Sequence, residues 1–313
     1  MSFDIKKFKN PNIKDLDEYR QMYEKSVTDP SSFFLEHALK ELDWFEKPSI
    51  GYSGKITEPT WFSNGVLNIS YNCVDRHAAK NPDKTAIIWQ GDEKEDTKNI
   101  SYGQLLIEVS KLANGLKSIG VKKGDRVCIY MPMIPETAYS MLACMRIGAI
   151  HSVVFGGFSP EAISSRILDA DCQYVITTDE GIRGGKRVKL KENVDIALNN
   201  CPNVQKTIVF KYTNANIDWV DSRDICYEEL IDQMSDACQP EKMLAEDPSF
   251  ILYTSGSTGK PKGVMHTTGG YLLGATMSFK YIFGFSSEDI YWCTADVGWV
   301  TGHTYIVYGP LSN

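Results

Sequence analysis

The stretch YTSGSTGKPKG, residues 253–263, combines backbone freedom with polar and basic groups in a way that suits phosphate binding. Its glycines let the backbone approach a ligand closely, its hydroxyls can donate hydrogen bonds, and its lysines supply positive charge. It is not a Walker A loop, because Thr254 stands where the first glycine belongs and Pro261 stands where a magnesium-binding hydroxyl is required. Taken alone, the composition also fits a mobile polar turn. The predicted phosphate contacts are Thr254, Ser255, Gly256, Ser257, Thr258, Gly259, Lys260 and Lys262.

A second candidate site is the basic run RGGKRVKLK, which lies where a helix is predicted to begin. Cations at the N-terminus of a helix oppose its macrodipole. A solvated charged face is the ordinary interpretation of such a run, whereas a bound anion would explain the unfavourable placement. The cations in the run are Arg183, Lys186, Arg187, Lys189 and Lys191.

Taken alone, the stretch GWVTGH, residues 298–303, is interpreted as a core strand, because Trp299 with Val300 is typical of buried apolar positions.

Strands and helices alternate from Lys84 onward. Such alternation predicts an α/β fold in which parallel or mixed sheets are flanked by helices. The helix SYGQLLIEVSKLANGLKSIG is expected to begin with a capping box of Ser101 and Gln104. The glycine-rich loop follows the strand SFILYTS and precedes the helix GGYLLGATMSFKYIF, a position at which open α/β sheets bind ligands.

The first part of the chain has a different texture. DLDEYRQMYEKSV is helical in pattern, and WFEKPSIGYSGKITEPTWFSNG is expected to be irregular because proline and glycine punctuate it. We therefore divide the chain into an N-terminal extension, residues 1–80, packed on a main domain, residues 81–313.

Composition excludes several classes of protein. The 313 residues carry a formal net charge of -7, which argues against a general nucleic-acid binder. The eight cysteines include no CxxC pair and the five histidines no HExxH spacing, so neither a zinc site nor a dithiol redox site is indicated, and the metal ligands are left open. No secretory signal is visible, and the most apolar stretch, residues 138–158, is broken by Arg146 and His151. We expect a soluble, cytoplasmic protein without a membrane partner, and the oligomeric state is left open.

The string YTSGSTGKPKG resembles the phosphate-loop signature of the AMP-forming, adenylate-making enzymes, which include acyl-CoA synthetases, luciferases and peptide-synthetase adenylation domains. Further strings across almost the entire chain resemble the acetyl-CoA synthetase family, the AMP-forming acetate-CoA ligases. They are ISYNCVDRHAAKNPDKTAIIWQGDE, FGGFSPEAISSRI, EGIRGGKRVKLK and DVGWVTGHTYIVYGPL. The resemblance implies acetate, ATP and coenzyme A as small-molecule substrates, with Mg²⁺ accompanying ATP.

The resemblance also implies a role for each candidate segment. The loop from Thr254 to Lys262 would embrace the ATP phosphates, and GWVTGH, with Trp299, Val300 and Thr301, would form part of the acyl pocket. Lys186 stands where many family members have arginine, so a bidentate phosphate contact is weaker there. Contacts to coenzyme A are implied for Phe155, Gly156, Gly157, Arg183 and Lys186.

In this family acetate is joined to ATP to give acetyl-AMP, and the thiol of coenzyme A then displaces AMP. The chain matches the first part of the family's large N-terminal domain. The adenine and ribose motifs, the hinge and the small C-terminal domain with its catalytic lysine lie outside the match. We therefore expect the 313-residue chain alone to be a poor catalyst. Two alternatives stay open: a ligase for propionate or another short acid, and a noncatalytic remnant that binds nucleotide or coenzyme A.

Overall fold

The computed structural model describes residues 12–254 and 259–313. Some of its helices begin at side-chain caps: Asp15 accepts the Glu18 N–H at 2.8 Å, and Ser101 and Gln104 form the expected capping box. The helices are α1 (Leu16–Thr28), α2 (Pro30–Glu41), α3 (Arg76–Ala78), α4 (Tyr102–Ser118), α5 (Pro135–Ile147), α6 (Pro160–Ala170), α7 (Leu190–Leu198), α8 (Tyr227–Asp232), α9 (Thr268–Ile282), α10 (Val300–Gly302) and α11 (Gly309–Leu311), with π-helical turns at Tyr71–Asp75 and His303–Tyr308.

The strands are short, and most of those in the main domain are apolar. They are β1 (Tyr52–Lys55), β2 (Glu58–Trp61), β3 (Val66–Leu67), β4 (Thr85–Gln90), β5 (Thr97–Ser101), β6 (Arg126–Tyr130), β7 (Ile150–Val153), β8 (Tyr174–Thr178), β9 (Gly181–Arg183), β10 (Lys186–Val188), β11 (Lys206–Phe210), β12 (Asp224–Cys226), β13 (Met243–Leu244), β14 (Pro248–Thr254) and β15 (Lys262–Thr267).

A seven-stranded sheet forms the centre, in the order β12-β11-β8-β6-β7-β14-β15. Its neighbouring strands pair in parallel except β14 and β15, which are antiparallel. The predicted α/β class with a mixed, mostly parallel sheet is confirmed.

Both faces of this sheet are covered, as the alternation along β6 shows. Val127 and Ile129 point into a core shared with α4 and α5, whereas Cys128 and Tyr130 point into a second core shared with α6 and α7. All four side chains are fully buried. The helix-flanked parallel sheet therefore places the carboxyl ends of its strands at one common edge.

Two local expectations are wrong. The stretch expected to be irregular contains the hairpin β1–β2, in which Gly54 adopts φ +88 and faces Pro59. The glycine-rich loop leads from β14 into β15, and only then into helix α9, so it joins two antiparallel strands. Exposed residues of β15, KGVMHT, lack the apolar alternation that would have indicated a strand.

The prediction that the basic run lies at the start of a helix is also wrong for most of the run. Arg183 and Lys186 sit on the hairpin β9–β10, and α7 begins only at Leu190. The hairpin forms because Gly184 and Gly185 adopt φ +55 and +70, which suits a two-residue turn. In the described residues no helix is long and apolar enough to cross a membrane.

Candidate functional site

The candidate segments meet at the carboxyl edge of the sheet. Phe250 on β14 pairs with His151 on β7. Thr254 and Phe155 each lie four residues beyond that pair, so the glycine-rich loop and the FGGF turn leave the sheet side by side. In an open α/β sheet this edge is the usual place for a ligand.

A cleft of about 290 Å³ opens at this edge. It contains Phe155, Gly156, Gly157 and Arg183, four of the five residues predicted to contact coenzyme A. Lys186 is exposed beside it. The remaining lining comes from residues 89–92, 131–134, 181–182 and 294–296, with Val188, Leu190 and Tyr212.

The hairpin β9–β10 presents two cations together. Arg183 and Lys186 are directly opposite each other across the Gly184–Gly185 turn, an arrangement that is unfavourable for like charges unless an anion is near. The Arg183 guanidinium lies 4.7 Å from the centre of the Phe155 ring. At the tip, the Gly185 N–H donates to Asp92 Oδ2 at 2.9 Å.

The other cations of the basic run are already paired. Arg187 lies 2.8 Å from Glu180, and Lys189 lies 2.9 Å from Glu192. Lys191 is fully buried against Asp195 and Asp224, each 2.8 Å away. In the part of the chain that the structure describes, Arg183 and Lys186 are thus the two cations of this run without a carboxylate partner within ion-pair distance.

Close packing explains the glycines of the FGGF turn. A Cβ on Gly156 would lie 3.2 Å from the Met131 carbonyl oxygen, and one on Gly157 would lie 2.5 Å from the Phe155 ring. Gly298 is equally restricted, since its Cβ would be 2.9 Å from the Phe155 backbone. Glycine at these positions therefore lets three segments approach one another: the FGGF turn, the chain just after β6, and the GWVTGH segment.

The predicted acyl-pocket residues lie next to this turn. Trp299 sits 6.4 Å from Phe155 and 6.2 Å from Phe158 between ring centres. The core-strand interpretation is wrong, because Val300 starts helix α10 and all three side chains, including Thr301, are exposed. These three residues do not line the cleft, whereas Thr294 to Asp296, earlier in the same segment, do.

The glycine-rich loop is described at its two ends. Thr254 and Lys262 are paired across the hairpin, and both are exposed. Gly259 adopts φ +82, which favours glycine, and Lys260 is exposed. The predicted contacts Ser255, Gly256, Ser257 and Thr258 lie outside the described residues.

Sequence reasoning missed two acidic residues of the cleft, Asp92 and Asp296. Burial raises the pKa of Asp296, while the hydrogen bond from the Gly298 N–H and the nearby Arg183 charge act in the opposite direction. Asp296 forms a local turn in which its Oδ1 accepts the Gly298 N–H at 2.8 Å. An aspartate two residues before a glycine was the only sign of this turn in the sequence. Asp92 gave no signal, because its partner Gly185 is distant in sequence.

Comparison with known proteins identifies the family of the chain. The sequence matches the AMP-binding enzyme family over residues 74–313, and the acetyl-coenzyme A synthetase N-terminus family over residues 19–73. It is 60% identical to an acetyl-coenzyme A synthetase of Gamma-proteobacterium EBAC31A08 over 97% of this chain and 47% of that protein.

Further relatives have the same relation to the chain. Acetyl-coenzyme A synthetase 2 of Pseudomonas aeruginosa is 58% identical over 95% of this chain and 46% of its own length. The corresponding values for an acetyl-coenzyme A synthetase of Magnetococcus marinus are 56%, 95% and 46%. The chain spans about half the length of the curated relatives it matches. With the family match covering most of its residues, the chain belongs to the AMP-binding enzyme family.

Proposed function

We propose that this chain forms part of an AMP-forming acetate-CoA ligase, which converts acetate, ATP and coenzyme A to acetyl-CoA, AMP and pyrophosphate. The observation that carries the proposal is 60% identity to an acetyl-coenzyme A synthetase across nearly the whole chain. In the first step an acetate oxygen attacks the α-phosphorus of ATP, and pyrophosphate leaves. In the second, the coenzyme A thiol loses its proton and its sulfur attacks the acetyl carbonyl, and AMP leaves.

The glycine-rich loop serves the first step in this proposal. Negative charge grows on the phosphate oxygens as pyrophosphate departs, and fixed cations and N–H donors lower such a barrier. Lys260 and Lys262 are exposed at the loop end that the structure describes, beside the cleft edge. Gly259 supplies the backbone freedom with which a loop follows a polyphosphate.

The hairpin β9–β10 serves the second step. Coenzyme A carries several phosphates at its nucleotide end. Arg183 and Lys186 form a cation pair with no carboxylate within ion-pair distance among the described residues. The Phe155 ring supports the Arg183 guanidinium from the cleft side. The cleft beside this hairpin is lined by Gly156, Gly157 and Asp296.

Trp299, Val300 and Thr301 contribute one side of the acetate pocket in this proposal. Their neighbours Phe155 and Phe158 make that side apolar and aromatic. One methylene changes discrimination in such a pocket by about 1 to 3 kcal/mol, so the acid preference follows from its size.

The described residues do not fit a magnesium site held by the protein alone. Among residues 12–254 and 259–313, no group of three or more His, Cys, Asp or Glu side chains could hold a metal ion. No step of the proposed reaction is therefore assigned to magnesium.

Acetate-dependent exchange of labelled pyrophosphate into ATP tests the proposal. It is measured on the folded, full-length protein of which this chain is proposed to form part. Exchange that is fastest with acetate, next to propionate and butyrate, supports it. A preference for propionate would establish the alternative short-acid ligase. Coenzyme A or ATP binding by calorimetry without exchange under any acid would instead identify a noncatalytic binding protein.

A further inference from the structure

The hairpin that presents Arg183 and Lys186 leads directly into helix α7, whose first turns contain a buried ionic cluster. The Nζ of Lys191, in the first turn of α7, lies 2.8 Å from both carboxylate oxygens of Asp195 and 2.8 Å from Asp224. It also donates to the Asp218 carbonyl at 3.1 Å. The Lys191 and Asp224 side chains are both completely buried. Arg223 completes the cluster, with its Nε 2.7 Å from Asp224 and its guanidinium paired to Asp195.

The cluster is neutral as a whole, with two cations and two carboxylates. Burial acts to raise the pKa of Asp224, but hydrogen bonds from Arg223 and Lys191 outweigh burial and hold that pKa below its usual value. Lys191 meets the positive end of the α7 dipole, and no side chain caps this helix. A lysine is therefore costly at this position unless its carboxylate partners are present.

A second buried carboxylate secures the other end of the hairpin. Asp179, at the end of β8, accepts backbone N–H groups of Glu180, Tyr212, Thr213 and Ala215 at 2.7 to 3.1 Å. Its own carbonyl accepts the Lys191 N–H at 3.2 Å. The two ends of the hairpin are thus joined to each other beneath it.

Both anchors hold the same connection between β11 and β12. Asp179 binds its first part, Tyr212 to Ala215, and Lys191 binds its second part at the Asp218 carbonyl. Asp224 adds a bond from the Val220 N–H at 2.9 Å. The hairpin, α7 and this connection consequently form one fixed unit on which Arg183 and Lys186 are mounted.

We propose that Lys191, through Asp195 and Asp224, is a positioning residue that sets the pose of the Arg183–Lys186 pair and hence the affinity for the phosphates of coenzyme A. This inference rests on the proposed function. Lys191 is buried below the hairpin, so it acts without touching coenzyme A. A surface lysine in the same run, such as Lys189, has no such connection to the cluster.

The test separates the two half-reactions in the intact protein. Lys191→Met should raise KM for coenzyme A about tenfold, because loss of one fixed contact displaces both cations. Acetate-dependent pyrophosphate exchange, which does not use coenzyme A, should change less than about twofold. Lys189→Met, an exposed lysine two residues earlier, serves as the matched control and should leave both quantities unchanged.

The partly exposed Asp195 provides a milder variant for the case in which Lys191→Met does not fold. Asp195→Asn keeps the Lys191–Asp224 pair and should raise KM for coenzyme A by a smaller factor in the same direction. An unchanged KM in a folded variant overturns the inference, as does a parallel loss of exchange and thioester formation. The 313-residue chain alone is expected to be a poor catalyst, so this comparison is made in the full-length protein of which it is proposed to form part. If that protein, without any substitution, shows no acetate-dependent exchange, the proposed function fails and the inference with it.

Discussion

Two hairpins at the same edge of the sheet carry the basic residues of the site, and they are supported in different ways. Beneath β9–β10 lies the ionic cluster of Lys191, Asp195, Asp224 and Arg223. Strand β14 is instead held by stacked rings, in which Phe250 of β14 packs between His151 of β7 and His266 of β15, with ring centres 5.5 and 4.5 Å apart.

The difference in support matches a difference in what each hairpin is proposed to do. The cations on β9–β10 are held as a directly opposed pair, which suits a ligand whose phosphates occupy a fixed position. On β14–β15, the described loop residues Gly259 and Lys260 are exposed, and Thr254 rather than a cation opposes Lys262. A loop of this kind can follow phosphate groups that move as pyrophosphate leaves.

The largest effect is expected at the second hairpin. Lys262→Ala should lower acetate-dependent pyrophosphate exchange about a hundredfold, since a charge that stabilises the leaving pyrophosphate is removed. The side chain is exposed, so the melting temperature should not change. Lys55→Ala, another exposed hairpin lysine, is the control and should retain full exchange. Equal activity of the two variants would show that Lys262 does not contact the phosphates.

The next effect concerns the first hairpin and the opposite half-reaction. Arg183→Ala should raise KM for coenzyme A about thirtyfold, a loss typical of charge-assisted hydrogen bonds, and should leave pyrophosphate exchange unchanged. Arg187→Ala removes a cation of the same hairpin that is already paired with Glu180, and its effect should stay within about twofold. Similar values for the two variants would contradict the assignment of Arg183 to coenzyme A.

The sequence allowed the main elements to be predicted, because their determinants are local. Apolar runs marked β6, β8 and β14, and Ser101 with Gln104 marked the start of α4. The resemblance to a known family then pointed to four of the residues that line the cleft, Phe155, Gly156, Gly157 and Arg183, but it did not imply the geometry of their contacts.

The missed features depend on partners that are distant in sequence. Lys191 read as one more surface cation, and its burial is intelligible only once β12 brings Asp224 against α7. Asp92 became part of the cleft because it meets the tip of β9–β10. The pairing of β15 with β14 was equally hidden, since an exposed outer strand has no apolar face to reveal it.

The smallest effect is expected on acidification. It distinguishes the ring stack at β14–β15 from the ionic cluster near β9–β10. His303 belongs to the same ring stack, since its ring centre lies 4.8 Å from that of Phe250. Burial lowers the pKa of His303 to about 3, although the Trp299 carbonyl opposes this shift, and it lowers the pKa of His151 well below the usual range. Below about pH 6.5 these histidines are therefore protonated in the unfolded chain but stay neutral in the folded chain. As the pH falls, each of them reduces the free energy of unfolding by up to about 1.4 kcal/mol per pH unit. The lowered pKa of Asp224 acts differently: its contribution is complete above its unfolded pKa of about 3.9 and is lost only at more acidic pH.

Denaturant unfolding at pH 7.5 and 5.5 measures this contrast. The wild-type protein should lose stability over that interval, and His303→Phe should lose about 1 kcal/mol less, because one buried imidazole no longer distinguishes the two states. Asp224→Asn lowers stability at both pH values and should keep the wild-type pH dependence. If instead the Asp224 variant lost less stability than the wild-type protein between pH 7.5 and 5.5, the acid sensitivity would originate in the ionic cluster. The buried histidines would then not be its source.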